Sequence, residues 1–438
     1  MSGLHPYQTN DVRTPLGRAF CDHDAVYCGH PLYRLPLAEC GVLDAIAARA
    51  GRDPRLAALR DELAGLLAAP NDAGAAFRDR FSAAYEEASR MACPLWAALL
   101  TENHKIAGVS TDYTLTRFDP DVLFALEEEA PGDPVVAGFV KAMLARLAGA
   151  GAFVDQTAWR QTFEVYSEAL VYRLLRDAGK GRIQVERIPE GEDPTPDFRC
   201  TLLTEDAPRR FYIEVKTLDI VHADQRHAEM LDDGMLLRDQ VEKRAAAGSR
   251  VAIASGEIAP YRKLGTDPGY DPRSLRMSIE RLVAKCRQSF KPSQFQLGPT
   301  FALASLLRMP LHDHGERPLA PFAYDPARGG ACVSGALWNV CLGAVGDPIH
   351  RWPEFEGAGT IDGRLQCEGI LVGAERLPSP GVIFLRRDRE GYRLDAVVDG
   401  YWSDGAGWST SATTEAADIL CQAFNDTRNA NAHRLSNP

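Results

Sequence analysis

Hydrophobic periodicity changes character along this chain near residue 155, and that change limits the folds open to it. Before it, "PLAECGVLDAIAARAG", "DPRLAALRDELAGLLAAP", "DAGAAFRDRFSAAYEEASRMA" and "GDPVVAGFVKAMLARLAGAG" repeat apolar residues three and four apart, punctuated by Pro, Asp and Gly. That is the pattern of amphipathic helices, and it predicts an all-helical domain over residues 1–150. After it comes one long helical segment, "RQTFEVYSEALVYRLLRDAGKG". Short β-branched and aromatic runs follow: "RIQVERI" (182–188), "PDFRCTLL" (196–203) and "RRFYIEVKTL" (209–218). A period of about two has replaced one of about 3.6. The expected opening of the second domain is therefore a helix followed by antiparallel strands.

Beyond residue 219 the pattern predicts a polar insertion to about 270, helical through about 247, and then an ambiguous "RVAIASGEIAPY". "PRSLRMSIERLVAKCRQSFK" (272–291) reads as an amphipathic helix and "GPTFALASLL" (298–307) as a strand. The second domain is placed at 151–310. The remainder, 311–438, carries the strand-like "GVIFLRRD" and "YRLDAVVDGYW" and a helix around 414–425, and is expected to be a C-terminal α/β extension. With 438 residues, the chain has room for two or three cores of ordinary size.

The strand 209–218 carries two charges where a buried strand should not. Alternation places Phe211, Ile213, Val215 and Thr217 on one face and Tyr212, Glu214, Lys216 and Leu218 on the other. Glu214 and Lys216 therefore point the same way. In the preceding strand the same rule groups Asp197 with Arg199 and Thr201. If Leu203 and Arg209 flank the turn "TEDAP", Asp197 and Glu214 become near-opposite neighbours. Two adjacent carboxylates repel unless a cation lies between them, and oxygen-liganded Mg²⁺ or Mn²⁺ supplies one. Lysine is scarce here, 8 residues against 41 arginines, so a lysine two places after the glutamate is not forced by composition. On the long helix, Glu168 shares a face with Glu164, Val171, Tyr172 and Leu175, and either glutamate could reach the sheet.

These residues resemble the PD-(D/E)XK nuclease superfamily, with its restriction-endonuclease-like fold. The likeness rests on "EALVYRLLRDAG", then a strand, "PDF", a hairpin and "YIEVKT", over residues 158–218, with 272–307 as the following helix and strand. It implies an α/β core of a mixed sheet flanked by helices. It also implies that Asp197 and Glu214 bind the divalent ion, that Lys216 orients or activates the attacking water, and that Glu168 completes the metal site. Leu174, Leu175 and Gly179 follow Glu168 as they do the helix glutamate in members of that fold. The implied activity is metal-dependent hydrolysis of phosphodiester bonds, DNA favoured over RNA, as in restriction or anti-phage defence. An alternating-charge surface hairpin, or an inactive relative serving as a binding scaffold, would use the same residues differently. "RDQVEKRAAAG" with "RVAIAS" is an alternative to 272–307 as the second helix and strand.

The formal charge of −11 argues against non-specific attraction of nucleic acid to the whole surface. Its distribution is uneven: residues 151–310 hold 24 basic and 23 acidic residues, whereas 1–150 hold 14 and 20. Acidic flanks fit regulated access, or a protein partner or second copy that supplies binding. Along 272–291 a basic face opposes the apolar stripe, and Lys285, Arg287 and Lys291 are the candidate phosphate contacts. Cys21, His23, Cys28 and His30 are zinc-type residues without the usual spacing, and His312 and His314 lack a clear third ligand. No Gly-rich phosphate loop, G-x-S-x-G elbow or H-E-x-x-H is present. The ten cysteines lie mostly in apolar segments, as buried thiols do in a reducing compartment. With no apolar run long enough to span a membrane and no leader pattern, a cytoplasmic protein is expected.

Overall fold

A computed structural model describes residues 46–68, 75–99, 118–148, 156–189, 195–218, 227–248, 274–308, 322–325, 331–350, 361–388, 391–403, 408–426 and 434–435, apart from 52, 96 and 206, together with 251 and 253. Cys21, His23, Cys28, His30, His312 and His314 lie outside the described residues. The chain divides into two compact units, 1–169 with 226–231, and 170–225 with 232–438.

In the first unit the described elements are helices: α1 (Pro54–Ala68), α2 (Ala75–Ala92), α3 (Pro120–Glu129), α4 (Pro134–Ala148) and the first part of α5 (Gln156–Ala178). Helix α3 was not expected from periodicity, yet its start is written locally. Asp119 caps it by accepting from the Asp121 N–H at 3.0 Å, and Pro120 takes the first turn, where its missing N–H costs nothing. Phe118 packs edge-on against Phe163 and Tyr166, with centroids at 5.3 and 5.1 Å, and so ties the entrance of α3 to α5.

The second unit is mixed α/β. Its elements are the rest of α5, β1 (Ile183–Arg187), β2 (Phe198–Leu202), β3 (Arg209–Thr217), α6 (His227–Ala246) from residue 232 onward, α7 (Leu275–Ser289), a 3₁₀ turn (Pro292–Phe295) and β4 (Thr300–Ser305). Then come β5 (Phe322–Asp325), β6 (Ala331–Ser334), α8 (Ala336–Leu342), β7 (Pro348–His350), β8 (Ile361–Arg364), β9 (Gly381–Asp388), β10 (Gly391–Val398), α9 (Thr410–Leu420), β11 (Ala423–Asp426) and β12 (Arg434–Leu435). One sheet runs β1-β2-β3-β4-β9-β10-β11, with the two-residue β12 at its edge. β1, β2 and β3 are antiparallel in turn, while β3–β4 and β4–β9 are parallel. β5–β6 and β7–β8 form separate two-stranded ribbons.

Two features follow from that order. The sheet crosses the expected boundary near 310, because β9 bonds directly to β4 and so satisfies its polar edge. The parallel partner of β3 is β4, so the helix leading into it is α7; Val251 and Ile253 of the alternative segment are exposed at 76% and 70%.

Helix α7 starts where Ser274 accepts from the Met277 N–H at 3.3 Å. It buries Ile279, Leu282, Val283 and Cys286 in a cluster with Ala302, Ala304 and Phe384 of the sheet. On the opposite face Phe211 meets Phe301 at 5.7 Å and Trp408, before α9, at 5.2 Å. Helix α5 reaches β1 through Gly179, where a Cβ would lie 2.9 Å from the Leu175 carbonyl oxygen, and Gly181, at φ +77°. Among the described residues no helix is long and apolar enough to cross a membrane. The described cysteines are free thiols, five of them buried, and burial pushes Cys286 up to about 12.

Candidate active site

The site grows from the pairing of β2 with β3. Leu202 opposes Arg209 and Phe198 opposes Ile213, one residue displaced from the register expected of a turn flanked by Leu203 and Arg209. Thr204 closes the turn, donating to the Ala207 carbonyl at 2.6 Å. Continued by one residue beyond the ladder, that register sets Asp197 against Glu214. The last partners of the ladder are Phe198 and Ile213, and the Asp197 side chain takes over from there: Oδ2 accepts the Val215 N–H at 2.7 Å. The Asp197 carbonyl meanwhile accepts from Ile188 N at 2.9 Å. Asp197 is thus held from both neighbouring strands.

β3 alternates as its sequence requires, with Phe211, Ile213 and Val215 buried on the aromatic face. Glu214 and Lys216 lie on the α7 face, beside Ala302 and Ala304 of β4 in the parallel register. Glu214 is only 1% exposed. Its Oε1 takes both an ion pair from Lys216 and a hydrogen bond from Gln294 Nε2, while Oε2 is buried with no hydrogen-bond partner. Burial, then the Asp197 charge, pushes the Glu214 carboxyl up to about 7 against the pull of Lys216 and Gln294.

Gln294 was not visible as a site residue from sequence. It sits in the 3₁₀ turn between α7 and β4, 80 residues from Glu214, and also accepts the Lys291 N–H at 2.8 Å. The turn crosses β3 closely: Tyr212 N donates to Pro299 O at 2.8 Å, and a Cβ on Gly298, at φ +149°, would lie 3.3 Å from the Tyr212 ring. The only local signal was "KPSQFQLGP", a proline-started turn closed by glycine.

The other expected site residues are placed as follows. Glu168 is half-buried on α5, within the first unit; Glu164, one turn earlier, pairs with Arg160 at 3.8 Å. Arg199 pairs with Glu186 at 2.8 Å, not with the carboxylates facing β3. On α7, Lys285 is half-buried and Lys291 exposed just beyond the helix. Arg287 donates to the Glu368 and Gly369 carbonyls at 3.1 and 3.4 Å and lies 3.7 Å from Glu375. Arg287 is thereby built into the protein's own packing.

Among the described residues no three of His, Cys, Asp and Glu converge as metal ligands. The chain offers a pair, Asp197 and Glu214. That suits a hard ion of the Mg²⁺ type, which is commonly held by one or two carboxylates, with water and phosphate oxygens completing its shell. The buried oxygen without a donor and the facing carboxylate both fit a cation. No family model, curated protein or solved structure matches this chain.

Proposed function

We propose that this protein is a divalent-metal-dependent nuclease of restriction-endonuclease-like fold, hydrolysing phosphodiester bonds, DNA in preference to RNA, in restriction or anti-phage defence. The observation that carries the reading is Glu214: a carboxylate 1% exposed, opposite Asp197, with one oxygen lacking any hydrogen-bond donor. The topology supports it, since a helix, three antiparallel strands and, after the intervening α6, the helix α7 and a strand parallel to the third follow one another.

Asp197 and Glu214 would hold Mg²⁺ or Mn²⁺. When bound, such an ion neutralises phosphoryl oxygens and makes a water nucleophilic near neutral pH. Lys216 keeps a cationic donor beside Glu214, and its part is to orient the water and stabilise charge. The Asp197 carboxylate is held in place by the Val215 N–H, and that of Glu214 by the Lys216 and Gln294 side chains. Lys285, Arg287 and Lys291 remain the proposed phosphate contacts.

The Lys216–Glu214 ion pair also supports a second reading, a scaffold in which the lysine alone balances the buried carboxylate. Supercoiled, linear and single-stranded DNA and RNA, each with Mg²⁺, Mn²⁺ or EDTA, separate the two. A nuclease cuts at least one substrate only when metal is present. A scaffold cuts none and gains no thermal stability from either ion.

A further inference from the structure

We infer that Gln294 is a positioning residue that sets which divalent ion the Asp197–Glu214 pair accepts, favouring small octahedral Mg²⁺ or Mn²⁺ over Ca²⁺; this rests on the metal-site reading above. The polarity of its amide is fixed from outside the site. The Lys291 N–H can only donate, so the oxygen of Gln294 must face it, at 2.8 Å. The NH₂ group is thereby turned to Glu214, where it donates to Oε1. Lys216 occupies the same oxygen. Two donors thus commit Oε1, and Oε2, buried and without a donor, is what Glu214 presents to a cation.

One presented oxygen suits some ions better than others. Ca²⁺ takes six to eight oxygens in flexible shells and often binds carboxylates through both oxygens, whereas Mg²⁺ demands near-ideal octahedral geometry and keeps its waters. A glutamate restricted to Oε2 withholds the two-oxygen mode that Ca²⁺ exploits. The turn carrying Gln294 has little freedom to relax this. It starts at Pro292, runs into Gly298 against the Tyr212 ring, and is joined to β3 through Tyr212 N and Pro299 O.

The test is calorimetric titration of the full chain with Mn²⁺ and with Ca²⁺, without nucleic acid. It compares wild type with Gln294→Met, which removes the donor at similar size. The ratio of Mn²⁺ to Ca²⁺ affinity should fall about tenfold in the variant, as Oε1, then held by Lys216 alone, becomes more available to Ca²⁺. A residue that only closes the turn would lower thermal stability and leave the ratio alone; an unchanged ratio overturns the inference. Gln294→Glu keeps an acceptor for the Lys291 N–H and loses the donor, so it covers the case in which the methionine variant does not fold. Its added charge raises affinity for both ions, but the ratio should still fall, and an unmoved ratio there is equally decisive. Wild-type protein that binds neither ion removes the metal-site reading and this inference together. Binding with an unmoved ratio removes this inference alone.

Discussion

At the scale of single residues, Glu214 dominates because it is a carboxyl that the fold makes costly to ionise. Its ordinary value of 4.5 is raised to about 7, chiefly by burial and then by Asp197. The folded carboxyl therefore keeps a proton that the unfolded chain has released. It contributes stability that is fully present below about pH 4.5 and lost as pH rises through about 7, up to about 3 kcal/mol in metal-free protein. Glu127, raised to about 7 by burial in the helical unit, acts in the same direction. The measurement is accordingly a difference: thermal unfolding against pH for wild type and Glu214→Gln without metal, in which the wild type should lose stability across that window relative to the variant. Parallel curves would mean that Glu214 titrates as an ordinary carboxylate. Asp197 and Glu214 were legible in the sequence because a period of two is enough to put them on one face. Gln294 was not, because neither periodicity nor spacing relates residues 80 apart that meet only through a turn.

At the scale of elements, α7 carries an apolar stripe and a set of cations on one helix. Its apolar stripe was plain in the sequence and is the face packed on β4. Its cations looked alike there, and the structure separates them. Arg287 donates to two backbone carbonyls, so Arg287→Ala should cost about 1–3 kcal/mol of stability in a denaturant melt. Lys291, exposed and one residue before the turn that carries Gln294, should behave otherwise: Lys291→Ala leaves stability near wild type but weakens nucleic-acid binding and lowers its salt slope by about one counterion. Equal stability losses in both variants, with no change in salt slope, would remove α7 from the binding surface. Helix α3 and α8 were missed for a related reason. Each is 7 to 10 residues long, too short for periodicity to stand out, and α3 is marked only by its Asp-Pro start.

At the scale of the whole molecule, the sequence predicted cuts near 150 and 310, whereas the compact units divide within α5 and keep 311–438 with the sheet of the second unit. Composition could not reveal this. A strand's partner is chosen by its edge, and β4 and β9 are separated by a long stretch of chain carrying two ribbons and a helix. The −11 charge has the same physical reading in structure as in sequence: the whole surface does not attract a polyanion, so the proposed binding has to be local or lent by a partner. What joins the scales is the claim that a divalent ion belongs between Asp197 and Glu214, and calorimetric titration with Mn²⁺ tests it most directly, on wild type, Asp197→Ala, Glu214→Ala and Lys216→Ala. The account predicts that both carboxylate variants lose at least about tenfold in affinity, since each deletes an oxygen ligand, while Lys216→Ala binds as tightly as wild type or more so because a neighbouring positive charge has gone. Equal Mn²⁺ affinity in all four proteins would contradict it.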